Sequence, residues 1–275
     1  MEILQMSDRP LSSRMLLGRP SARWLGQSEK TGEGWGYQSC WFSHDVTAAN
    51  RYPICEVYDT PMMEAYQKCF EASFREGCEF VGMIHDDLSI YEMGWDLRVL
   101  EEFEDPEVGA VGFFGAFSHC QPQLYDEPCK PVNFTRSGVV SNLRRDAHFC
   151  GERYTGSCDV AVFDGLALFI RRDALVKING WPVGTAIQYW AYDYWLSMEL
   201  RRIGYRLRVV GIDCDHWSGK GMPIAKQLAE AVGKINPCGD EAHILAHQYL
   251  YDLYKGTGVI PYTVVDQHRK EKSLG

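Results

Sequence analysis

The sequence predicts an α/β protein built on a mainly parallel β-sheet. Short apolar runs typical of buried strands alternate with longer runs in which apolar residues recur every three or four positions, as in amphipathic helices. Several strand-like runs end in polar, mostly acidic residues. The chain has 275 residues, which is enough for one large α/β domain or two small ones with a sizeable core.

The predicted elements follow one another in the order that such a fold requires. A short strand at 2–7 precedes residues 10–50, which show no clear period and are predicted to be irregular. The pattern then predicts strand 53–59, helix 60–77, strand 79–84, helix 94–105, strand 107–116, a long aperiodic segment 117–157, strand 158–170, helix 171–180, helix 189–204, strand 205–217 and helices 223–235 and 240–256. In helix 60–77, the spacing of Met63, Tyr66, Phe70 and Phe74 predicts a buried stripe.

Composition and charge limit the classes of function. The net charge of -9 argues against a general nucleic-acid or anionic-membrane binder, although it is compatible with a local basic patch. No stretch approaches ~18 continuous apolar residues, so no membrane span is expected. The ten cysteines include no C-x-x-C pair, which argues against a structural zinc site. We expect a soluble, cytoplasmic protein with free thiols.

Three polar residues end the strand 79–84 and define the candidate site. In "FVGMIHDDLSI", at residues 80–90, the apolar run is followed at once by His85, Asp86 and Asp87. Unpaired carboxylates in a dry interior are costly. Because ligands of open α/β sheets bind at the carboxyl ends of the strands, we expect these acids at that edge, facing a positive group. A solvated turn at the strand end is the plainer alternative.

Further motifs follow in chain order, and together they resemble the family 2 glycosyltransferases of the GT-A fold. The resemblance covers roughly residues 53–222 and consists of a DxD-like acid motif at a strand end and four later segments. These motifs are "FVGMIHDDL", "DPEVGAVGFFGA", "VFDGLALFIRRDALVKINGW", "YDYWLSMELRRIGYRLRVV" and "DHWSGKG". The first 50 residues fit the family pattern poorly.

The resemblance implies a fold and a division of the chain. The fold is a GT-A (Rossmann-like) nucleotide-sugar-binding fold with a mainly parallel central sheet. Residues 1–222 would form the catalytic domain, and residues 223–275 a C-terminal helical extension packed on it.

The resemblance also implies a divalent cation and a nucleotide-sugar donor. Asp87 and His216 would hold Mn²⁺ or Mg²⁺, and the ion would neutralise the diphosphate leaving group. Four further residues are expected at the donor: Asp59 at the ribose or base, Asp86 at the ribose or a water, His85 beside them, and Lys220 over the diphosphate. A solvated side chain is an equal alternative for Lys220, and a packed histidine is the alternative for His216.

Two acids would act on the acceptor side, again by resemblance. Asp193 would be the catalytic base, next to Tyr192 where many relatives carry Glu, and Asp164 would orient the acceptor or the sugar. The structural alternatives are a helix N-terminal acid favoured by the dipole for Asp193 and a β-bulge beside Gly165 for Asp164.

The function expected from these features is an inverting, metal-dependent hexosyl- or pentosyltransferase. It would move a sugar from a nucleotide-diphosphate sugar, a UDP-sugar above all, to an unidentified hydroxyl acceptor. One alternative is a non-catalytic nucleotide-sugar binder. Another is a nucleic-acid-acting protein, including one that glycosylates a hydroxylated DNA base; this alternative rests on Arg136, Arg144, Arg145 and Arg153. His243 and His247, four apart on a helix, are expected to be surface or packing residues.

Overall fold

The computed structural model describes residues 12, 14–21, 43–58, 60–120, 136–144, 153–216, 240–260 and 262–264. The strands of this part of the chain are β1 (Met15–Ser21), β2 (Ile54–Tyr58), β3 (Phe80–Ile84), β4 (Leu88–Ile90), β5 (Val108–Gly112), β6 (Phe114–His119), β7 (Arg136–Ser141), β8 (Ser157–Val160), β9 (Val162–Phe163), β10 (Ala167–Arg171), β11 (Arg206–Val210), β12 (Cys214–His216) and β13 (Tyr262–Thr263). The helices are α1 (Met62–Arg75), α2 (Trp95–Glu102), α3 (Arg172–Lys177), α4 (Tyr192–Arg202) and α5 (Asp240–Tyr254).

A seven-stranded sheet forms the centre of the fold, in the order β2-β1-β3-β10-β5-β11-β8. Strands β1, β2, β3, β5 and β11 run in one direction, whereas β10 and β8 run in the opposite direction. The predicted fold class, α/β with a mainly parallel central sheet, is therefore confirmed. The β–α–β unit predicted from the alternating pattern is present as β2, α1 and β3.

Two apolar layers cover the two faces of this sheet, because successive strand residues point to opposite sides. On β3, Val81 and Met83 belong to one core with the buried faces of α1 and α4. Phe80 and Ile84 belong to a second core, together with Trp95 of α2. Helices therefore lie on both faces of the sheet.

The predicted buried stripe of α1 is correct for three of its four residues. Met63, Tyr66 and Phe70 are buried, but Phe74 is 49% exposed. Phe74 lies near the end of the helix and contacts the edge of the Phe70 ring and the Arg172 guanidinium.

Smaller sheets extend the structure beside the central one. Strands β4 and β12 form an antiparallel pair. Strands β13, β6 and β7 form another sheet, and β9 also pairs with β6. These additions bring the start of β7 and the end of β12 close to the carboxyl end of β3.

Several element boundaries differ from the sequence prediction. Strand β1 and a helical turn at 43–47 lie within the segment 10–50 that was expected to be irregular, and the strand expected at 2–7 lies outside the described residues. Strand 107–116 is divided into β5 and β6, which belong to different sheets. Likewise, 158–170 contains β8, β9 and β10, and 205–217 contains β11 and β12. Apolar runs are continuous through these changes of sheet, so hydrophobic periodicity does not reveal them.

The C-terminal helix α5 packs on α4, where the Tyr254 hydroxyl donates a hydrogen bond to Glu199 (2.5 Å). The predicted domain boundary at residue 222 falls in the segment 217–239, outside the described part of the chain, so the division there stays a prediction. In the described ranges, no helix is both long and apolar enough to cross a bilayer.

The expectation that every cysteine is a free thiol is wrong at Cys120, which is disulfide-bonded. The other described cysteines carry free thiols. The five free cysteines are Cys55, Cys69, Cys78, Cys158 and Cys214.

Candidate active site

The candidate site begins where β3 ends. The five residues of β3 are all buried, and the next three, His85, Asp86 and Asp87, are only half-buried. The chain turns there, with the Leu88 N–H directed at the His85 carbonyl (3.4 Å), and continues as β4. The polar run therefore ends the strand and lies at the open edge of the sheet, as predicted.

His216 reaches the same place from a distant part of the sequence. Strand β12 pairs antiparallel with β4, and this register sets His216 opposite Leu88. The His216 Nε2 atom lies 3.3 Å from Asp87 Oδ1, and His85 Nδ1 lies 3.9 Å from the same oxygen. The three ligand atoms lie within 4.8 Å of one another, which is close enough for them to bind one metal ion.

The protonation states in this group suit metal binding. Burial lowers the pKa of His85, which favours the neutral imidazole that binds metals. Burial tends to raise the pKa of Asp87, but the hydrogen bond from His216 and the neighbouring ring of His85 outweigh it, so the pKa lies below its usual value. Two imidazole nitrogens and one carboxylate oxygen form a mixed donor set that suits Mn²⁺ better than Mg²⁺.

The second ring nitrogen of His85, Nε2, contacts the hydroxyl group of Tyr192, the first residue of α4. In the tautomer that leaves Nδ1 free for a metal, Nε2 donates a hydrogen bond to the Tyr192 hydroxyl (2.8 Å). Contacts of this kind orient metal-binding histidines. Gly165 makes the contact possible, because a Cβ at this position would overlap the Tyr192 hydroxyl.

A second group of charged residues centres on Arg136 in β7. The Arg136 Nη1 atom donates a hydrogen bond to Asp164 Oδ2, and Nη2 donates another to Asp193 Oδ2 (2.6 Å). The guanidinium carbon lies 5.0 Å from the centre of the Tyr194 ring. Burial lowers the pKa of Arg136, but Tyr194 and the two carboxylates raise it well above its usual value, so this residue is always charged.

The two carboxylates differ in their environments. Burial raises the pKa of Asp193 to about 6, against the opposing charge of Arg136. Burial also acts on Asp164, but the charge and hydrogen bond of Arg136 outweigh it, and the pKa of Asp164 is lowered. An acid with a raised pKa beside one with a lowered pKa is a pattern that distinguishes proton-transfer residues from electrostatic ones.

The direction of β10 explains why Asp164 belongs to this site. Strand β10 is antiparallel to β3, with Ala167 opposite Ile84, so the start of β10 lies beside the end of β3. The His85 N–H donates to the Leu166 carbonyl (3.0 Å). Asp164 therefore lies at the same edge as the metal-site candidates, in a turn before the strand and not inside a strand as expected.

The start of α4 carries backbone strain. Ala191, which precedes Tyr192 and Asp193, has a φ of 65°, a left-handed conformation unusual for a residue with a side chain. Such conformations collect at functional sites. Here the strained residue sets the direction in which the first turn of α4 presents its two polar side chains.

The structure brings together most of the predicted site residues. Asp87, His216 and His85 form one group, and Asp164 and Asp193 form the other. His85 was expected at the donor, but its distance to Asp87 makes it a candidate third ligand. Asp86 lies in the turn between His85 and Asp87. Asp59 and Lys220 lie outside the described residues.

Arg136 and the role of Tyr192 were missed by sequence reasoning. Arg136 was considered only as a contact for nucleic-acid phosphate, since it lies in an aperiodic segment. In the structure Arg136, Arg144 and Arg153 all pair with carboxylates, the last two with Asp213; Arg145 lies outside the described residues.

His243 and His247 are packing residues, as expected. Their rings lie 4.1 Å apart, and His247 Nδ1 lies 2.8 Å from the His243 carbonyl. The Trp190 and Tyr194 rings contact them from the side, 5.0 Å from His243 and 5.8 Å from His247.

Comparisons with known proteins find similarity at the level of structure. The protein A197 from STIV has a TM-score of 0.43 and 14% identity, and the match covers 75% of this chain and 86% of that chain. A mannosyltransferase from Pyrobaculum calidifontis, in complex with GDP-Man and Mn²⁺, has a TM-score of 0.42 and 13% identity, covering 92% of this chain and 74% of that chain. Similarity this low carries no argument about activity. No protein-family model matches the sequence, and no curated protein matches it.

Proposed function

We propose that this protein is a metal-dependent glycosyltransferase that transfers a sugar from a nucleotide-diphosphate sugar to a hydroxyl group with inversion of configuration. One observation carries the proposal. A candidate metal group and a buried carboxylate pair meet at the carboxyl edge of one α/β sheet, and the adjacent residues Tyr192 and Asp193 connect them. The family resemblance of the sequence motifs supports the same activity.

On the donor side, His85, Asp87 and His216 would hold Mn²⁺. When bound, a divalent cation neutralises charge on the diphosphate as the glycosidic bond breaks. Asp87 would supply the negative charge, and an imidazole nitrogen from each of His85 and His216 would complete the donor set. Tyr192 fixes the orientation of His85 through its hydroxyl.

On the acceptor side, Asp193 would remove the proton from the attacking hydroxyl. Its pKa of about 6 leaves most of the carboxylate ionised at neutral pH, yet makes it more basic than an ordinary aspartate. The ionised Asp164 would accept a hydrogen bond from a neighbouring hydroxyl of the acceptor or sugar. A single base acting opposite the leaving group gives one displacement, and hence inversion.

A second candidate arises from the donor set. Two histidines and one carboxylate also form the ligand set of non-haem iron(II) oxygenases. That chemistry leaves the Asp164–Arg136–Asp193 cluster without a role, so we favour the transferase. The nucleic-acid alternative has lost part of its support, since Arg136, Arg144 and Arg153 are engaged with carboxylates.

A donor panel tests the proposal. Thermal unfolding would be followed with UDP-sugars and with GDP-mannose, each with and without Mn²⁺. A ligand that binds only the folded state adds about 2.7 kcal/mol of stability at a hundredfold excess over Kd. We expect stabilisation by at least one donor that requires Mn²⁺ and disappears in Asp87→Ala.

The control for this panel is Asp173→Ala, because the Asp173 side chain in α3 is 81% exposed. The helix follows Arg171, which lies opposite Phe80 at the start of β3, so Asp173 is at the other end of the strands from the site. This variant should respond like the wild type. Stabilisation of the wild type by Fe²⁺ with a small carbonyl acid, and by no nucleotide sugar, would favour the iron alternative.

A further inference from the structure

We propose that Arg136 is a positioning residue that keeps Asp193 ionised and correctly oriented by bridging it to Asp164. This role rests on the proposed function, in which Asp193 is the base. Arg136 lies on β7, within the segment 117–157 for which the sequence pattern predicted no secondary structure.

The geometry of the Arg136 side chain suits this task. Its two terminal nitrogens donate to two different carboxylates, one from the turn before β10 and one from the first turn of α4. A planar guanidinium makes two such contacts through separate nitrogens at a fixed spacing, whereas an ammonium group offers a single nitrogen. The position of Asp193 is thus tied to that of Asp164.

The strand and two aromatic rings fix Arg136 in turn. Arg136 pairs with His119 in the β6–β7 ladder. Its guanidinium carbon lies 5.0 Å from the centre of the Tyr194 ring and 5.8 Å from that of Phe114. A side chain held in this way has little freedom to leave the carboxylates.

The charges around Asp193 show what the bridge does. Asp164 faces it from the turn before β10, Tyr66 from α1, and Tyr194 from its own helix. Arg136 supplies the positive charge in this described group. A buried and a half-buried carboxylate with no cation between them repel each other, so one of them would take up a proton. Asp193, the more buried of the two, would be protonated and could not act as a base.

The matched control is Arg206, which also bridges two aspartates. It contacts Asp105 (2.8 Å) and Asp159 (3.0 Å) at the start of β11, the opposite end of the sheet. Arg206→Gln therefore removes the same kind of ion-pair bridge but leaves Asp193 untouched.

The experiment is a pH titration of the full-length protein with ¹³C-labelled aspartate carboxyl groups, observed by NMR. Asp193→Asn assigns the signal. We expect the midpoint of Asp193 to rise by about one to three pH units in Arg136→Gln and to stay unchanged in Arg206→Gln. An unchanged midpoint in Arg136→Gln overturns the proposal. A fall in thermal stability without a change in midpoint gives Arg136 a structural role only, and overturns it too.

Arg136→Lys keeps the proposal testable if Arg136→Gln does not fold. Lysine retains the charge but replaces the planar fork by a single nitrogen, so we expect looser contacts and a smaller rise of the Asp193 midpoint; no rise contradicts the bridge. The titration needs neither donor nor turnover. A shifted midpoint in a protein that binds no nucleotide sugar would therefore support the Arg136 bridge while refuting the proposed function.

Discussion

At the scale of single residues, Asp193 is the side chain on which the proposed chemistry depends most. It is buried, it accepts a hydrogen bond from Arg136, and its pKa is raised to about 6. A helix N-terminal acid kept only for the dipole has no need of a buried arginine partner. Asp193 also accepts a hydrogen bond from the Tyr194 N–H in the first turn of α4 (2.9 Å), so it supports the start of the helix as well. The contact with Arg136 is the additional feature on which we base the proposed role in proton transfer.

Replacing Asp193 by asparagine tests this role. The amide keeps the size of the side chain but cannot accept a proton. We expect kcat to fall by about two to four orders of magnitude, with donor affinity nearly unchanged. Steady-state kinetics and donor calorimetry measure the two quantities, with Asp173→Asn as the control. A kcat close to that of the wild type would exclude Asp193 as the base.

The same residue predicts a pH dependence. A base works only when deprotonated, so kcat/KM should be on its plateau above the pKa of Asp193 and fall below it. With a pKa of about 6, the rate should be halved near that pH and fall about tenfold for each further unit of acid. A profile flat down to pH 4.5 would contradict this assignment.

The metal ligands should differ in their contributions. Asp87 is the anionic ligand and lies between the two histidines, whereas water can replace a single imidazole. We expect Asp87→Ala to abolish Mn²⁺ binding in calorimetry, and His216→Ala and His85→Ala to weaken it. Wild-type Mn²⁺ affinity in Asp87→Ala would show that the ligand group is wrongly assigned.

At the scale of secondary-structure elements, the first turn of α4 connects the two halves of the site. It carries Tyr192, which holds His85, and Asp193, which contacts Arg136. The turn can approach His85 only because Gly165 has no side chain. If His85 binds a metal ion and Asp193 is the base, the position of this one helix end links metal binding to the orientation of the base.

Gly165→Ala should disturb this link. The new methyl group would displace the Tyr192 hydroxyl and break its hydrogen bond to His85. Loss of an outer-sphere partner typically lowers metal affinity by about 10–100-fold, and Mn²⁺ calorimetry would measure it. Tyr192→Phe removes the same hydrogen bond without the clash and should give a similar loss. If Tyr192→Phe binds Mn²⁺ like the wild type, Tyr192 does not orient a ligand.

The elements that sequence reasoning could predict were those with a clear period and clear ends. Helix α1 was expected at 60–77 and spans Met62–Arg75, and β3 was expected at 79–84 and spans Phe80–Ile84. The polar residues that directly follow the apolar strand β3 correctly predicted that this end of the strand lies at the edge of the sheet. Asp87 and His216 were both expected at this edge, and they lie 3.3 Å apart; their role as metal ligands stays a prediction.

The remaining features depended on the directions of the strands and on the points where the chain passes from one sheet to another, and a sequence pattern shows neither. Strand β10 looks like any apolar strand, and only its antiparallel pairing with β3 explains how Asp164 reaches the edge. Arg136 lies in a segment without a period, and its partners are 28 and 57 residues away. Sequence reasoning offered no ground for separating His85 from the residues expected at the donor. Only the distance of 3.9 Å from its Nδ1 atom to Asp87 Oδ1 makes it a candidate third metal ligand.

At the scale of the whole molecule, the fold gathers residues from five separate stretches of the chain at one edge of the sheet. The end of β3, the start of β7, the turn before β10, the start of α4 and the end of β12 each contribute. In the proposed function, the residues at this edge break the bond between a sugar and a nucleoside diphosphate with the help of a divalent cation.

The most direct measurement is the release of nucleoside diphosphate from the donor that stabilises the protein, with water as the acceptor. Samples would be quenched with EDTA and the anomeric proton of the first sugar released observed by NMR. We predict release that requires Mn²⁺, is lost in Asp87→Ala and Asp193→Asn, and yields the inverted anomer. Release that is independent of Mn²⁺ and of both residues, or that retains the configuration, would contradict the account.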